Sequence, residues 1–141
     1  MELTGALGRT CERSVVVGPS NVASSIGSGG VEVFSTPSMV ALMETAARDA
    51  VEDLLPEGWS TVGTSLDIRH TAATPPGEAV TARAELVEVE GRRLRFRVSA
   101  SDRWGTIGEG THERFAVDLA RFGMKVAERC GKHEERGVAD V

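Results

Sequence analysis

Residues 36–54, TPSMVALMETAARDAVEDL, constrain the fold more than any other stretch of the chain. Met39, Leu42, Met43, Ala46, Ala50 and Leu54 recur with a period near 3.6, which makes them one apolar stripe of an α-helix. Val40, Ala47 and Val51 widen that stripe, and the polar side is left to Arg48, Asp49, Glu52 and Asp53. Thr36 suits the N-cap, and Pro37 suits the first helical position, where its missing N–H is no loss. Pro56 and Gly58 end the helix. A helix this apolar cannot rest on an open surface, so the remaining chain must wrap it.

Beyond the helix the chain takes on the period of strands. In residues 59–70, alternation puts Val62, Thr64, Leu66, Ile68 and His70 on one expected face and Gly63, Ser65, Asp67 and Arg69 on the other. A turn rich in proline, TAATPPGEA, leads to two strands joined by a tight turn near Glu90-Gly91. In the first of these, Val80, Ala82, Ala84 and Leu86 share a face, whereas Val87 and Val89 are out of phase, and a bulge near Leu86 accounts for the switch. In the second, Leu94, Phe96, Val98 and Ala100 oppose Arg93, Arg95, Arg97 and Ser99. Those arginines read as a solvated outer face, with Arg83, Glu85 and Glu88 across from them. In the last strand Ile107, Thr111, Phe115 and Val117 hold one phase, and Gly108, His112 and Arg114 the other.

A short helix is expected from Asp118 to about Lys125. Upstream, Ser14 to Val17 reads as a strand, residues 18–30 as a Gly/Ser loop, and Val31 to Phe34 as a short second strand. This order predicts a two-layer α+β fold, one central helix against a curved antiparallel sheet. The chain reads as a single domain over residues 1–127, with a charged tail, 128–141, that frays.

Composition narrows the function classes. A net charge of -5 argues against nucleic acid or an anionic membrane as partner. There is no apolar run long enough to cross a bilayer and no signal-peptide pattern, and Cys11 and Cys130 form no metal motif. These features fit a cytoplasmic protein with free thiols. Aromatic residues are only 4% of the chain, so the core is built of small side chains, and dimerisation would help bury more surface.

Three polar residues sit on or beside the core elements: Thr36 at the helix start, Glu44 at the border of its apolar face, and His70 at the end of the strand after it. Each has a plain structural role open to it, as cap, border carboxylate or rim imidazole. Together they suit acyl transfer. Glu44 would act as a base on water or orient the nucleophile, and His70 would shuttle a proton or polarise Thr36. A backbone N–H at Gly63, or at the helix start, would receive the oxyanion. Thr36 and Glu44 lie two turns apart, about 12 Å along the axis, so a cleft between two chains gathers the set more readily than one chain does. No HExxH pattern or cysteine cluster supports a metal site, and the Gly/Ser loop lacks the lysine of a phosphate cradle. His112 and Glu113 face opposite ways on a strand and His133 lies in the tail; none of the three is given a role.

Five segments together carry a family resemblance: TPSMVALMETAA at 36–47, LPEGWSTVGT at 55–64, HTAATPPGEAVTARAEL at 70–86, VEGRRLRFRVSASD at 89–102 and IGEGTHERFAV at 107–117. The chain resembles hot-dog-fold acyl-CoA thioesterases of the fluoroacetyl-CoA thioesterase kind. The resemblance implies a long central helix wrapped by an antiparallel sheet, a homodimer, and an active site at the subunit interface. It implies hydrolysis of an acyl-CoA to free acid and CoA, with no metal and no cofactor beyond the CoA of the substrate. It assigns catalysis to Thr36, Glu44 and His70, and oxyanion or substrate binding to Gly63 and Arg114.

One departure stands out. The segment between first strand and helix is shorter than in the fluoroacetate-resistance enzyme. Ser24 to Gly30 carries no aromatic residue, and Phe34 is the nearest ring. The gate that would favour a fluorinated acyl group is therefore missing, and short acyl or aryl groups are both open. Two other functions remain at this point: a non-catalytic hot-dog protein that binds acyl-CoA or a small hydrophobic ligand, and an enoyl-thioester hydratase, whose D-x-N-P-x-H-like segment is absent.

Overall fold

The computed structural model describes the backbone of residues 2–139 and the side chains of residues 2–131. The side chain of His133, to which the sequence gives no role, lies outside them. After a 3-10 turn at Thr4–Ala6 come strand β1 (Thr10–Val16), helix α1 (Thr36–Val51), a 3-10 turn at Glu52–Leu54, and strands β2 (Trp59–His70), β3 (Ala79–Glu90), β4 (Arg93–Asp102) and β5 (Gly105–Asp118). Helix α2 (Leu119–Ala139) closes the chain. The five strands form one antiparallel sheet in the order β1-β3-β4-β5-β2. This is the expected α+β hot-dog arrangement.

The core reflects the two periodicities. Met39, Met43, Ala46, Ala47, Ala50 and Val51 of α1 are buried against Val80, Ala82, Ala84 and Leu86 of β3 and Leu94, Phe96, Val98 and Ala100 of β4. The many alanines let helix and sheet approach closely. The larger side chains supply the energy, each worth roughly 1.5–3 kcal/mol when fully buried. The helix lies mainly over β3 and β1, so the β5 and β2 half of the inner face is less covered. Polar side chains are tolerated there.

The expected bulge near Leu86 is present, between Leu86 and Glu88. The arginines of β4 find carboxylates across the outer face: Arg93 with Glu113 at 2.6 Å, Arg95 with Glu88 at 3.7 Å and Arg97 with Glu85 at 3.6 Å. Several boundaries differ from expectation. Strand β1 starts at Thr10, four residues early, because β3 pairs with it from Thr10↔Glu85 to Val16↔Ala79 whatever its own patterning. Val31 to Phe34 forms no strand; it has one isolated bridge, Val22↔Phe34, and the Val31 and Val33 carbonyls accept from the Ser24 and Ala23 N–H groups, while Phe34 is buried. The apolar stripe stops at Val51, since the chain tightens into the 3-10 turn and leaves Leu54 exposed. Helix α2 continues well past Lys125, through residues expected to form the tail, since no proline interrupts it before Ala139.

Candidate active site

The start of α1 is capped by Ser35, not by Thr36. Ser35 Oγ accepts from the Ser38 N–H at 3.2 Å, and the Pro lies within the first helical turn. Ser, Thr and Pro in succession allow two cap registers, and the structure takes the earlier one. This frees the Thr36 hydroxyl. Its Oγ1 lies 2.7 Å from His70 Nδ1. The ring of His70 is partly buried, and that burial pushes it below the usual histidine range, offset in part by the Ala72 backbone. In the tautomer that accepts the hydroxyl proton at Nδ1, a neutral ring carries its own hydrogen on Nε2. That Nε2 is buried with no hydrogen-bond partner among the described residues.

Thr36 and His70 line a cavity of about 390 Å³ together with Ala23, Val31, Val33 and Phe34. Phe34 is only 1% exposed, so its ring belongs to the core as much as to the cavity wall.

Glu44 belongs to a second group. Its Oε2 lies 3.5 Å from Arg114 Nη1 and 4.0 Å from His112 Nε2. Arg114 is anchored from behind: Nε donates to Thr61 Oγ1 at 2.7 Å and Nη2 to the Thr61 carbonyl at 2.9 Å. Gly63 completes this group. A Cβ built there would stand 2.7 Å from Glu44 Oε2 and 3.2 Å from His112 Cε1, so only glycine leaves room for the carboxylate.

Simple alternation along residues 59–70 puts Gly63 opposite Leu66 and His70. The structure corrects this. A bulge between Gly63 and Ser65 moves Gly63 onto the face that Leu66, Ile68 and His70 share. Val62, opposite Phe115, is on the outer face instead. The inner face of β5 carries Gly108, Gly110, His112 and Arg114, opposite Ala100, Val98, Phe96 and Leu94 of β4. His112, given no role on sequence grounds, is thus buried at the site. The available signal is its phase: it alternates with Arg114 beside an apolar strand face.

Within one chain, then, Thr36 and His70 meet, and Glu44 meets Gly63 and Arg114. Glu44 is not paired with Thr36 or His70, as expected from the eight-position separation of Thr36 and Glu44 along the helix. Among the described residues no group of three or more His, Cys, Asp or Glu converges as a metal site. Among the described residues no helix is long and apolar enough to cross a membrane.

Comparison with known proteins bears on what this arrangement does. Residues 17–120 match the family model described as fluoroacetyl-CoA-specific thioesterase. The fluoroacetyl-CoA thioesterase of Streptantibioticus cattleyicolor is 51% identical over 98 residues, 70% of each chain. A solved structure of the fluoroacetyl-CoA thioesterase FlK superposes with a TM-score of 0.81 at 42% identity, covering 86% of this chain and 95% of that one. A Thermus thermophilus hypothetical protein of the thioesterase superfamily gives a TM-score of 0.84 at 29% identity, over 92% and 96%.

Proposed function

Since this chain belongs to the fluoroacetyl-CoA-specific thioesterase family and is an acyl-CoA thioesterase, we propose how its residues divide the hydrolysis. Thr36, His70 and Glu44 form the catalytic set, in a cleft shared by two copies of the chain. The observation that carries this reading is the Thr36 Oγ1–His70 Nδ1 hydrogen bond with His70 Nε2 left unpartnered. A buried ring nitrogen without a partner is costly. Glu44 of the partner subunit would accept from it and complete a hydroxyl–imidazole–carboxylate relay.

In this reading His70 takes the Thr36 proton as Oγ1 attacks the thioester carbonyl. The C–S bond breaks, the CoA thiolate takes that proton, and an acyl-threonine remains. Water then adds to the ester, losing its proton through His70 and Glu44, and the acid leaves as Thr36 is reprotonated. The Gly63 N–H, beside the bulge, is the proposed oxyanion donor. Arg114, tied to Thr61 and only 6% exposed, acts by holding Glu44.

The homodimer is part of the proposal. Strand β2 is a sheet edge, and Leu66 on its inner face is 40% exposed. An edge of this length invites a second strand. The catalytic unit is residues 1–127, and truncation after 127 should leave turnover intact. Free Cys11 and Cys130 suit a reducing compartment, the cytoplasm. Nothing in the charge balance favours nucleic acid as a partner.

The acyl group enters the cavity beside Thr36, where Ala23, Ser28, Gly29 and Val31 offer no aromatic gate. Selection for fluorine over hydrogen should therefore be weak. The test is thiol release from a panel of acetyl-, fluoroacetyl-, butyryl- and benzoyl-CoA. Comparable kcat/KM for acetyl and fluoroacetyl supports the broad pocket; a preference of a thousandfold refutes it. Glu44→Ala and His70→Ala matching wild type would refute the site assignment. Intact mass with a slow substrate checks the covalent step: an acyl adduct on Thr36 supports it, and hydrolysis by Thr36→Val at the wild-type rate excludes it.

A further inference from the structure

Among the described residues, His112 is the one buried histidine that the proposed chemistry leaves unused, and it faces both Glu44 and Arg114. Its ring is 1% exposed. Nδ1 lies 2.8 Å from the Ser65 carbonyl oxygen, which only accepts, so the ring proton is on Nδ1. Nε2 lies 3.2 Å from Arg114 Nη1, which only donates, so Nε2 offers its lone pair there. Both contacts hold at once only in the neutral ring with that tautomer. Ser65 is the residue at which the β2 bulge ends, and Arg114 is the residue that faces Glu44.

We infer that His112 is a positioning residue for the thioesterase reaction: it pins the bulge that presents Gly63 and fixes the guanidinium that orients Glu44. The inference rests on the thioesterase reading of this site. Without the Ser65 bond the bulge backbone loses a tether beside the proposed oxyanion donor. Without the Nε2 lone pair, Arg114 keeps its two Thr61 bonds but loses the contact that aims Nη1 at Glu44.

The arrangement also makes the site sensitive to acid. Protonation turns Nε2 into a donor that faces Arg114 Nη1, donor against donor, while Glu44 Oε2 stands 4.0 Å away as an alternative acceptor. The charged groups facing the ring are Glu44 from α1 and Arg114 from β5; its cross-strand neighbours, Leu66 of β2 and Phe96 of β4, carry none. Burial first, and then the Arg114 charge, push His112 below the usual range, against the pull of the Ser65 carbonyl and Glu44.

The experiment compares wild type with H112N, H112Q and H112A in steady-state acetyl-CoA hydrolysis across pH, alongside melting curves. In H112Q an amide oxygen reaches the Nε2 position and can accept from Arg114; in H112N the amide stays near Nδ1 and can only serve Ser65. The expected result for H112N and H112A is kcat lowered about tenfold or more with KM little changed, as for a carboxylate displaced by a fraction of an ångström. H112Q should recover part of that loss. The acid limb of kcat/KM should be steeper in wild type, where His70 and His112 both titrate, than in H112Q. Ring 15N shifts of wild type at neutral pH should show a protonated Nδ1 and a bare Nε2. Variants that melt lower but keep wild-type kcat and acid limb would reduce His112 to packing and overturn the inference, as would an Nε2-protonated ring. Wild type that releases no thiol from any acyl-CoA would instead overturn the thioesterase reading on which it rests.

Discussion

Gly63→Ala acts first on the position of Glu44, since the added methyl stands 2.7 Å from Glu44 Oε2 and only less tightly, 3.2 Å, from His112 Cε1. The backbone at Gly63 is not in the left-handed region, so alanine introduces no strain there. The Gly63 N–H survives, and with it the proposed oxyanion donor. The new methyl would sit 2.7 Å from Glu44 Oε2, where ordinary contact starts at 3.4 Å, so the carboxylate must retreat by about 0.7 Å. It can do so, because the Glu44 side chain is 38% exposed and has solvent to swing into. Folding should therefore be unharmed, or favoured by up to about 1 kcal/mol, since alanine loses less backbone freedom than glycine. Catalysis should suffer: a misplacement near 1 Å costs about a hundredfold, so kcat/KM should fall by about ten- to a hundredfold, or about 1.4–2.7 kcal/mol. Acetyl-CoA hydrolysis with thiol detection reads the first quantity and urea unfolding the second. A G63A enzyme as active as wild type would refute the placement of Glu44 at the reacting centre. Loss of activity only in proportion to loss of folded protein would refute the reasoning too.

The same geometry has other consequences. Thr36→Val should melt within about 1 kcal/mol of wild type, because Ser35 holds the cap, yet lose most of its thiol release. Ser35→Ala should do the reverse, losing about 1 kcal/mol in denaturant unfolding with turnover nearly intact. His70 and His112 both sit below their ordinary value of 6.5 when folded, so below that pH the unfolded chain binds more protons than the native one. Stability is then fully present above about pH 6.5 and is lost as pH falls through the folded values. Melting curves at pH 7.5 and 5.5 check this; a stability unchanged or rising toward acid would contradict it.

The parts of the fold legible in the sequence are those with strong contrast between apolar and polar positions. The 3.6-residue recurrence of Met39, Met43, Ala46 and Ala50 identifies α1, and the alternation of Leu94, Phe96 and Val98 with arginines identifies β4. The Leu86 bulge is readable because valines mark its phase on one side and alanines on the other. The Gly63 bulge is not: Gly63, Thr64 and Ser65 are all small or polar, so a slip of one residue leaves no trace in hydropathy. That slip decides which face Gly63 joins. His112 escapes notice for a related reason. Its burial comes from Phe96 and Leu66, residues of other strands, and nothing local distinguishes it from an exposed histidine. The cap is displaced by one residue because Ser35 and Thr36 are equally able to serve.

The central claim is that Thr36 and His70 of one chain work with Glu44 of another. Mixed dimers test it. His70→Ala and Glu44→Ala enzymes, each inactive alone, are unfolded together and refolded, and the tagged heterodimer is isolated. If the site spans two chains, one cleft of the heterodimer carries both substitutions and the other carries neither, so about half the wild-type turnover per dimer returns. A heterodimer no more active than its parents would place all three residues in one chain and contradict the account.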